Sequence, residues 1–374
     1  ENSKRVRQQL NRIIMAIEDG TFRFAEVFPQ SSKKDHFRHR EGEVYGLGGS
    51  PGEVNIGTYI GLWYDRLKDS GRVSERTLYG YKSYINLYLV PFFGAMTFSD
   101  INLGTFENFI VWAKKTRYRK KPLGNETVNK IFVPLKTIFK SARNEFGWMG
   151  FDPFLGFKKL PEGDAYEKIM PFSIDEQRLL LKALPDHWRP YFMFAFCSGL
   201  RQGEQIGLKA GDIDWENGMV HVRRAITKDE SGNKMEGKTK NRYSRRSIKM
   251  GPIMREALEA QQSIYDRFQG EYFFCSPEGN MVLPQNLRTR VWIPALAAAK
   301  LRFREMKQTR HTFATVALSS GENPLWIAKF MGHRDTDMII RVYSKYVEDV
   351  FGSKDGALVD SAFRRTGDNN GNDG

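Results

Sequence analysis

Between Ile56 and Phe151, apolar residues recur at spacings of three and four, the period that lines one face of an α-helix. Tyr59, Leu62, Trp63 and Leu67 form one stripe. Leu78, Tyr81, Ile85 and Leu89 form a second, which opens at Ser74, a good N-cap. Phe106, Phe109, Ile110 and Ala113 form a third. Val128, Ile131, Phe132, Leu135, Ile138, Phe139 and Ala142 form a long fourth, which Pro134 is expected to bend. Four such helices on short connections predict a compact helical bundle. The pattern is bounded by breaks: Gly42, Gly46, Gly48, Gly49, Pro51 and Gly52 precede it, and Pro153, Pro161, Gly163 and Asp164 follow it. A chain interrupted twice in this way is expected to form separate domains.

Beyond the second break, Ser173 and Glu176 fit a capping box, so a new helical region starts there. Helical pattern runs to about residue 209. Residues 219–222 read as a strand, 228–237 as a polar loop and 243–248 as a second strand. Helical periodicity then resumes to about Phe363. Ahead of the first break, Val6, Leu10, Ile13, Ile14 and Ile17 mark a short amphipathic helix, too small to fold alone. The expectation is a multidomain, mainly α chain. A helical remnant (1–40) and a linker (41–55) precede an all-α domain (56–155). A second linker (156–170) leads to an α-rich mixed α+β domain (171–364) with a small antiparallel sheet. Residues 365–374 form a tail expected to be disordered.

Lysine and arginine number 58 against 44 aspartates and glutamates, a formal charge of +14. An excess of this size makes nucleic acid the leading partner class. It is concentrated between the third and fourth helices, where Lys114, Lys115, Arg117, Arg119, Lys120 and Lys121 surround Tyr118 and read as phosphate contacts. Cys197 and Cys275 are too few for a disulfide framework or a four-cysteine zinc site, which points to a reducing compartment. The chain opens Glu1-Asn2-Ser3-Lys4, without Met or a signal-peptide pattern, and reads as trimmed. Its most apolar run, 191–197, is far short of the roughly 20 residues that span a bilayer, so no membrane partner is expected.

Four constellations follow one another in the last domain. The first is Ser198-Gly199-Leu200-Arg201-Gln202-Gly203-Glu204, an arginine on a glycine-flanked turn at a helix start. The second is Gly237-Lys238-Thr239-Lys240-Asn241-Arg242, a basic entry to a β-hairpin. The third is Lys307-Gln308-Thr309-Arg310-His311-Thr312-Phe313-Ala314-Thr315, and the fourth is Met331-Gly332-His333 followed by Val342-Tyr343-Ser344-Lys345-Tyr346. In this order they resemble the tyrosine recombinase family, the phage-type integrases. That family carries a Leu-Arg-x-Gly-Glu turn, a hairpin lysine, a His-x-x-Arg-His-Thr-x-Ala-Thr box, a Gly-His pair and a tyrosine about ten residues on. The family's first histidine is Lys307 here, and Tyr346 lies close to the matched Tyr343.

The resemblance makes 171–364 a catalytic domain, 56–155 a core-binding domain and 1–40 the end of an arm-binding module. It also implies a C-shaped clamp on double-stranded DNA attachment sites and a homotetramer. Accessory DNA-bending or excision factors, and the cytoplasm and nucleoid of a bacterial host, are implied with it. The chemistry suits the residue types. Attack on a phosphodiester builds negative charge on the equatorial oxygens, and Arg201 and Arg310 can neutralise it bidentately. His333 can donate to a non-bridging oxygen, Tyr343 can attack, and Lys238 can protonate the leaving 5′ oxygen. Lys307 is read as a protonated phosphate contact, and Lys240 and Arg242 as further DNA contacts. No acidic cluster is spaced for two-metal chemistry and no Gly-rich phosphate loop is present, so no metal or other cofactor is expected. Two other readings are a type IB topoisomerase, which uses the same residue types, and a non-catalytic DNA-binding protein.

Overall fold

The computed structural model describes residues 2–18, 22, 24–28, 30–31, 50–118, 121–148, 150–163, 169–238, 244–334 and 336–343. The chain divides into two compact units, Glu1–Glu162 with Lys228–Asn233, and Gly163–Thr227 with Lys234–Gly374.

The first unit opens with α1 (Asn2–Glu18), on which Val6, Leu10 and Ile14 stand exposed. The bundle begins at α2 (Ile56–Asp69). Asn55 caps it by accepting the Thr58 N–H through Oδ1 at 2.9 Å, and donates through Nδ2 to the Gly94 carbonyl at 3.0 Å. α3 (Glu75–Tyr84), capped by Ser74, runs through a π turn (Ile85–Leu89) into Val90–Phe93. Pro91 accounts for the π turn: it has no N–H and its ring crowds the Leu87 carbonyl, so the ladder slips by a residue. α4 (Leu103–Lys115) and α5 (Asn125–Phe146) complete the bundle, and α5 continues past Pro134 as one helix of 22 residues.

The buried face of α5 is the stripe expected from the sequence, Val128 to Ala142. Its Phe132 meets Phe106 of α4 edge to face, ring centres 5.5 Å apart, in a core dominated by phenylalanines. Two stretches read as linkers are partly packed into this core. Val54 is fully buried, Phe157 and Leu160 pack against the core, and Asn129 both donates to the Leu160 carbonyl (2.9 Å) and accepts its N–H (3.0 Å). Glycine and proline punctuate packed turns and loose linkers alike, so composition alone cannot separate them. Residues 41–49 and 164–168 lie outside the described residues. The basic segment after α4, expected as a loop, forms a minimal antiparallel pair, β1 (Arg117–Tyr118) with β2 (Lys121–Pro122).

The second unit starts at α6 (Ile174–Ala183), where Ser173 and Glu176 make the expected capping box. α7 (Arg189–Ser198) buries Tyr191, Phe192, Phe194, Ala195 and Phe196 and so is apolar nearly all round. A helix of this kind belongs inside, and it packs against α9 (Pro252–Phe268) and α11 (Gln308–Ser319). Short α8 (Gln202–Ile206) follows it. β4 (Met219–Val222) lies between β3 (Ile213–Asp214) and β7 (Arg246–Lys249) in an antiparallel sheet that pairs Val220 with Ile213 and Ile248.

β5 (Arg224–Lys228) and β6 (Lys234–Lys238) pair separately; β5 leads into, and β6 lies almost wholly within, the stretch 228–237 expected as a polar loop. Ile226 alone is buried on β5, so no apolar alternation betrays the strand. After the π turn Leu287–Trp292 come α10 (Ile293–Ala298), then α12 (Pro324–Met331) and α13 (Asp337–Tyr343). The helical continuation and disordered tail expected after Tyr343 lie outside the described residues. Among those residues, no helix is long and apolar enough to cross a membrane.

Candidate active site

The last turn of α12 carries three carbonyls that the helix cannot satisfy, and three arginines take one each. Arg246 Nε donates to Phe330 O at 2.5 Å, Arg310 Nη2 to Met331 O at 2.9 Å, and Arg201 Nη2 to Gly332 O at 3.2 Å. These arginines come from β7, α11 and the N-cap of α8, so only the folded unit assembles them. The negative end of the α12 dipole favours cations at this place. One buried carboxylate ties two of them together. Glu204 accepts from the Arg201 backbone N–H (3.0 Å), from Arg201 Nη1 (2.7 Å) and from Arg246 Nη2 (3.1 Å). Burial opposes its charge, but Arg246 and Arg201 outweigh burial and hold its carboxyl below the usual range. Three guanidiniums against one carboxylate leave a surplus of two positive charges, which suits an anion.

His333 follows the left-handed Gly332 (φ 71°) that ends α12. Its Nε2 lies 2.6 Å from Arg310 Nη2. Burial, then Arg310, Arg201 and Arg246, push its pKa down to about 3. It is therefore neutral, Nε2 accepts from Arg310, and the ring proton sits on Nδ1, which has no hydrogen-bond partner among the described residues. Burial and Arg201 lower Arg310 to about 9, so it stays charged at neutral pH. Beside His333 runs a groove of about 890 Å³, lined on one side by Leu325, Trp326 and Phe330 and carrying Arg245, Arg246, Lys249, Lys329 and Arg334, with no acidic residue in its lining among the described residues.

The Tyr343 ring is 2% exposed, packed in a cluster with Ile169, Ala314, Ile327, Met331 and Ile339. Its Oη lies 2.7 Å from His311 Nδ1. His311 follows Arg310 on α11, and burial with Lys307 and Arg310 pushes its pKa down to about 4. Lys307 is exposed at the N-cap of the same helix, one turn before His311.

A family model described as the phage integrase family matches residues 162–348, half of the chain, and so spans every residue of this cluster. The chain belongs to the phage integrase family. A phage integrase SAM-like domain matches residues 60–160 and an arm DNA-binding domain residues 1–32. The prophage integrase IntR of Escherichia coli K12 is 29% identical over 256 residues, which is 63% of this chain and 61% of that protein. A XerC-like tyrosine recombinase of Caldanaerobacter subterraneus is 29% identical over 248 residues, 60% of this chain and 63% of that protein. The chain thus spans under two thirds of the length of these curated relatives. Among solved structures, the Tn1549 transposon integrase in complex with transposon right end DNA has a TM-score of 0.62 at 17% identity, covering 78% of this chain and 95% of that one. A lambda integrase tetramer bound to a Holliday junction has a TM-score of 0.59 at 17% identity, covering 86% and 83%.

Of the residues that the integrase resemblance singles out, Arg201, Arg310 and His333 converge directly, and Tyr343 joins them through His311 and α11. Lys238 ends β6, with its side chain outside the described residues. Lys114 and Lys115 are exposed at the end of α4. Arg117 and Lys121 lie on the β1–β2 pair with undescribed side chains, and Arg119, Lys120, Lys240, Arg242 and Tyr346 lie outside the described residues. Sequence reasoning assigned no role to Glu204, Arg246 or His311. Glu204 and His311 stood inside the quoted boxes. Arg246 is one of several basic residues in a row, and nothing in the sequence separates it from its neighbours.

Glycine is required at 199, where φ is +58° and an added Cβ would lie 2.5 Å from Phe313 Cδ1. Gly199→Ala is expected to lower stability by about 2–4 kcal/mol, from left-handed strain plus overpacking. Gly211, with open space around it, serves as the control for Gly→Ala in denaturant unfolding. Equal midpoints for the two variants would refute the steric account.

Proposed function

We propose that this protein is a site-specific DNA recombinase that cuts and rejoins duplex DNA through a 3′-phosphotyrosyl link. The observation that carries the reading is the cation cluster on the α12 C-terminus, where Arg201 and Arg310 stand beside neutral His333. A phosphodiester held there has its developing charge met by fixed guanidiniums. Tyr343 Oη bonds to phosphorus as the bond from phosphorus to the 5′ oxygen breaks, and Lys238 gives the leaving oxygen its proton. Lys307 holds the phosphate. Because the phosphotyrosyl bond keeps the energy of the broken one, a second 5′ hydroxyl reverses the step and joins new strands.

The substrates in this reading are attachment sites of a phage or integrative element and its target. The basic hairpin after α4 and the lysines of the α4 end contact phosphates, and Lys240 and Arg242 add to them. Four copies act together on two sites, with DNA-bending or excision factors as accessories.

The test is a nicked suicide duplex taken from DNA flanking the gene. Because the arginines supply the charge neutralisation, a covalent adduct at Tyr343 is expected at an undiminished rate in excess EDTA and without nucleotide. Loss of the adduct on chelation, restored by magnesium, would assign the protein to another reaction class. Equally fast relaxation of supercoiled DNA lacking any such site would favour a topoisomerase.

A further inference from the structure

The nucleophile of the proposed reaction has to lose a proton, and at neutral pH a free phenol, with a pKa of about 10, holds it. In integrases of this pattern a histidine opens the third box; here that position is Lys307, which is exposed. One helical turn further along α11, His311 brings Nδ1 to 2.7 Å from Tyr343 Oη. The backbone keeps this spacing, since the His311 N–H points to the Lys307 carbonyl. The geometry points to His311 as the general base that accepts the Tyr343 proton, a catalytic residue in addition to those the sequence resemblance names. This assignment rests on the recombinase reading.

Three features support it. Both rings are held, Tyr343 in the cluster of Ala314, Met331 and Ile339 and His311 on α11, so the contact is not a chance meeting of two mobile side chains. Among the described residues the charged groups that face His311 are Lys307 and Arg310, and with burial they keep its imidazole neutral, the form able to take a proton. With the ring proton on Nε2, the Nδ1 lone pair faces the phenol O–H. A phosphate bound by Arg310 and Lys307 would offset those two cations and strengthen the base when the substrate arrives. In the step, the phenol proton moves to His311 Nδ1 as the bond from Oη to phosphorus forms. The P–O5′ bond breaks, and the 5′ oxygen is protonated by its own acid. In rejoining, the imidazolium returns its proton to the departing tyrosine oxygen.

The experiment is single-turnover cleavage of the nicked duplex by the full chain with His311→Asn and His311→Phe, with DNA affinity measured alongside. Asparagine places an amide oxygen near the Nδ1 position, so it keeps the hydrogen bond from Tyr343 but cannot take the proton. A general base contributes about 10²–10⁴-fold, so His311→Asn is expected to be at least about 10²-fold slow at neutral pH. Its rate should then rise with pH as free tyrosinate forms, with affinity unchanged. The wild-type rate should vary less over the same range, because neutral His311 is already present well above pH 4. Lys307→Arg alters a phosphate contact and is expected to lower the rate, but by far less than His311→Asn and with no new rise with pH, since no proton acceptance is asked of it. If His311→Asn cleaves at the wild-type rate while His311→Phe is slow, His311 only positions the tyrosine and the base assignment fails. If Lys307→Arg is as slow as His311→Asn, the proton goes to Lys307 instead. Wild-type protein that forms no Tyr343 adduct would overturn the recombinase reading itself, a result distinct from either of these.

Discussion

Tyr343→Phe is expected to abolish strand cleavage, by at least about 10⁴-fold as for loss of other enzymatic nucleophiles, while leaving DNA affinity unchanged. The substitution removes a single oxygen. The ring remains packed on Ile169, Ala314, Met331 and Ile339, so the shape of the site is retained. The lost partner is the acceptor His311 Nδ1, and leaving one neutral acceptor unpaired costs about 1–3 kcal/mol, a modest loss of stability. Tyr346→Phe should cleave normally. An adduct formed by Tyr343→Phe, or one lost only in Tyr346→Phe, would move the nucleophile to Tyr346.

The two cores were legible because each is written in short-range periodicity. Every residue of the stripe from Val128 to Ala142 is buried on α5, with Asn129, Pro134 and Phe146 buried beside it, and the Ser173–Glu176 capping box starts α6. Local signals failed where structure depends on partners distant in sequence. β5 and β6 carry one buried apolar side chain on β5, so their pairing rests on backbone hydrogen bonds that composition does not encode. Val54 and Phe154 sit among turn residues and are buried only because the bundle folds over them.

The site shows the same division. Arg201, Arg310, His333 and Tyr343 are singled out by the order of four boxes rather than by any local preference, since each taken singly could be a surface cation, a helix boundary or a core aromatic. Arg246 was invisible because its role is to span Phe330 O and Glu204, a geometry built from β7, α12 and α8. His311 stands inside a box, and its contact with the Tyr343 hydroxyl exists only because α13 brings the phenol to it.

The second large effect is expected at Arg310, and its geometry says how to recognise it. The guanidinium gives Nη1 to Gly199 O, and Nη2 to both Met331 O and His333 Nε2. Of its five N–H donors, the one on Nε and one on Nη1 are left without an acceptor among the described residues, so the guanidinium can still donate to a phosphate oxygen while staying tied to α12. Arg310→Ala removes the charge that meets the transition state and unties His333 from the α12 end. Cleavage should fall by about 10³-fold or more, the range for a transition-state arginine. Arg310→Lys should be nearly as slow, because one ammonium cannot reach Gly199 O, Met331 O and His333 together while also holding a phosphate. A scissile phosphate with one non-bridging oxygen replaced by methyl carries no charge in the ground state, and needs less neutralisation when attacked. It should restore much of the rate to Arg310→Ala and add little to the wild type. If Arg310→Ala is equally slow on both substrates while melting like the wild type, charge neutralisation is not what Arg310 contributes, and its part lies in holding His333.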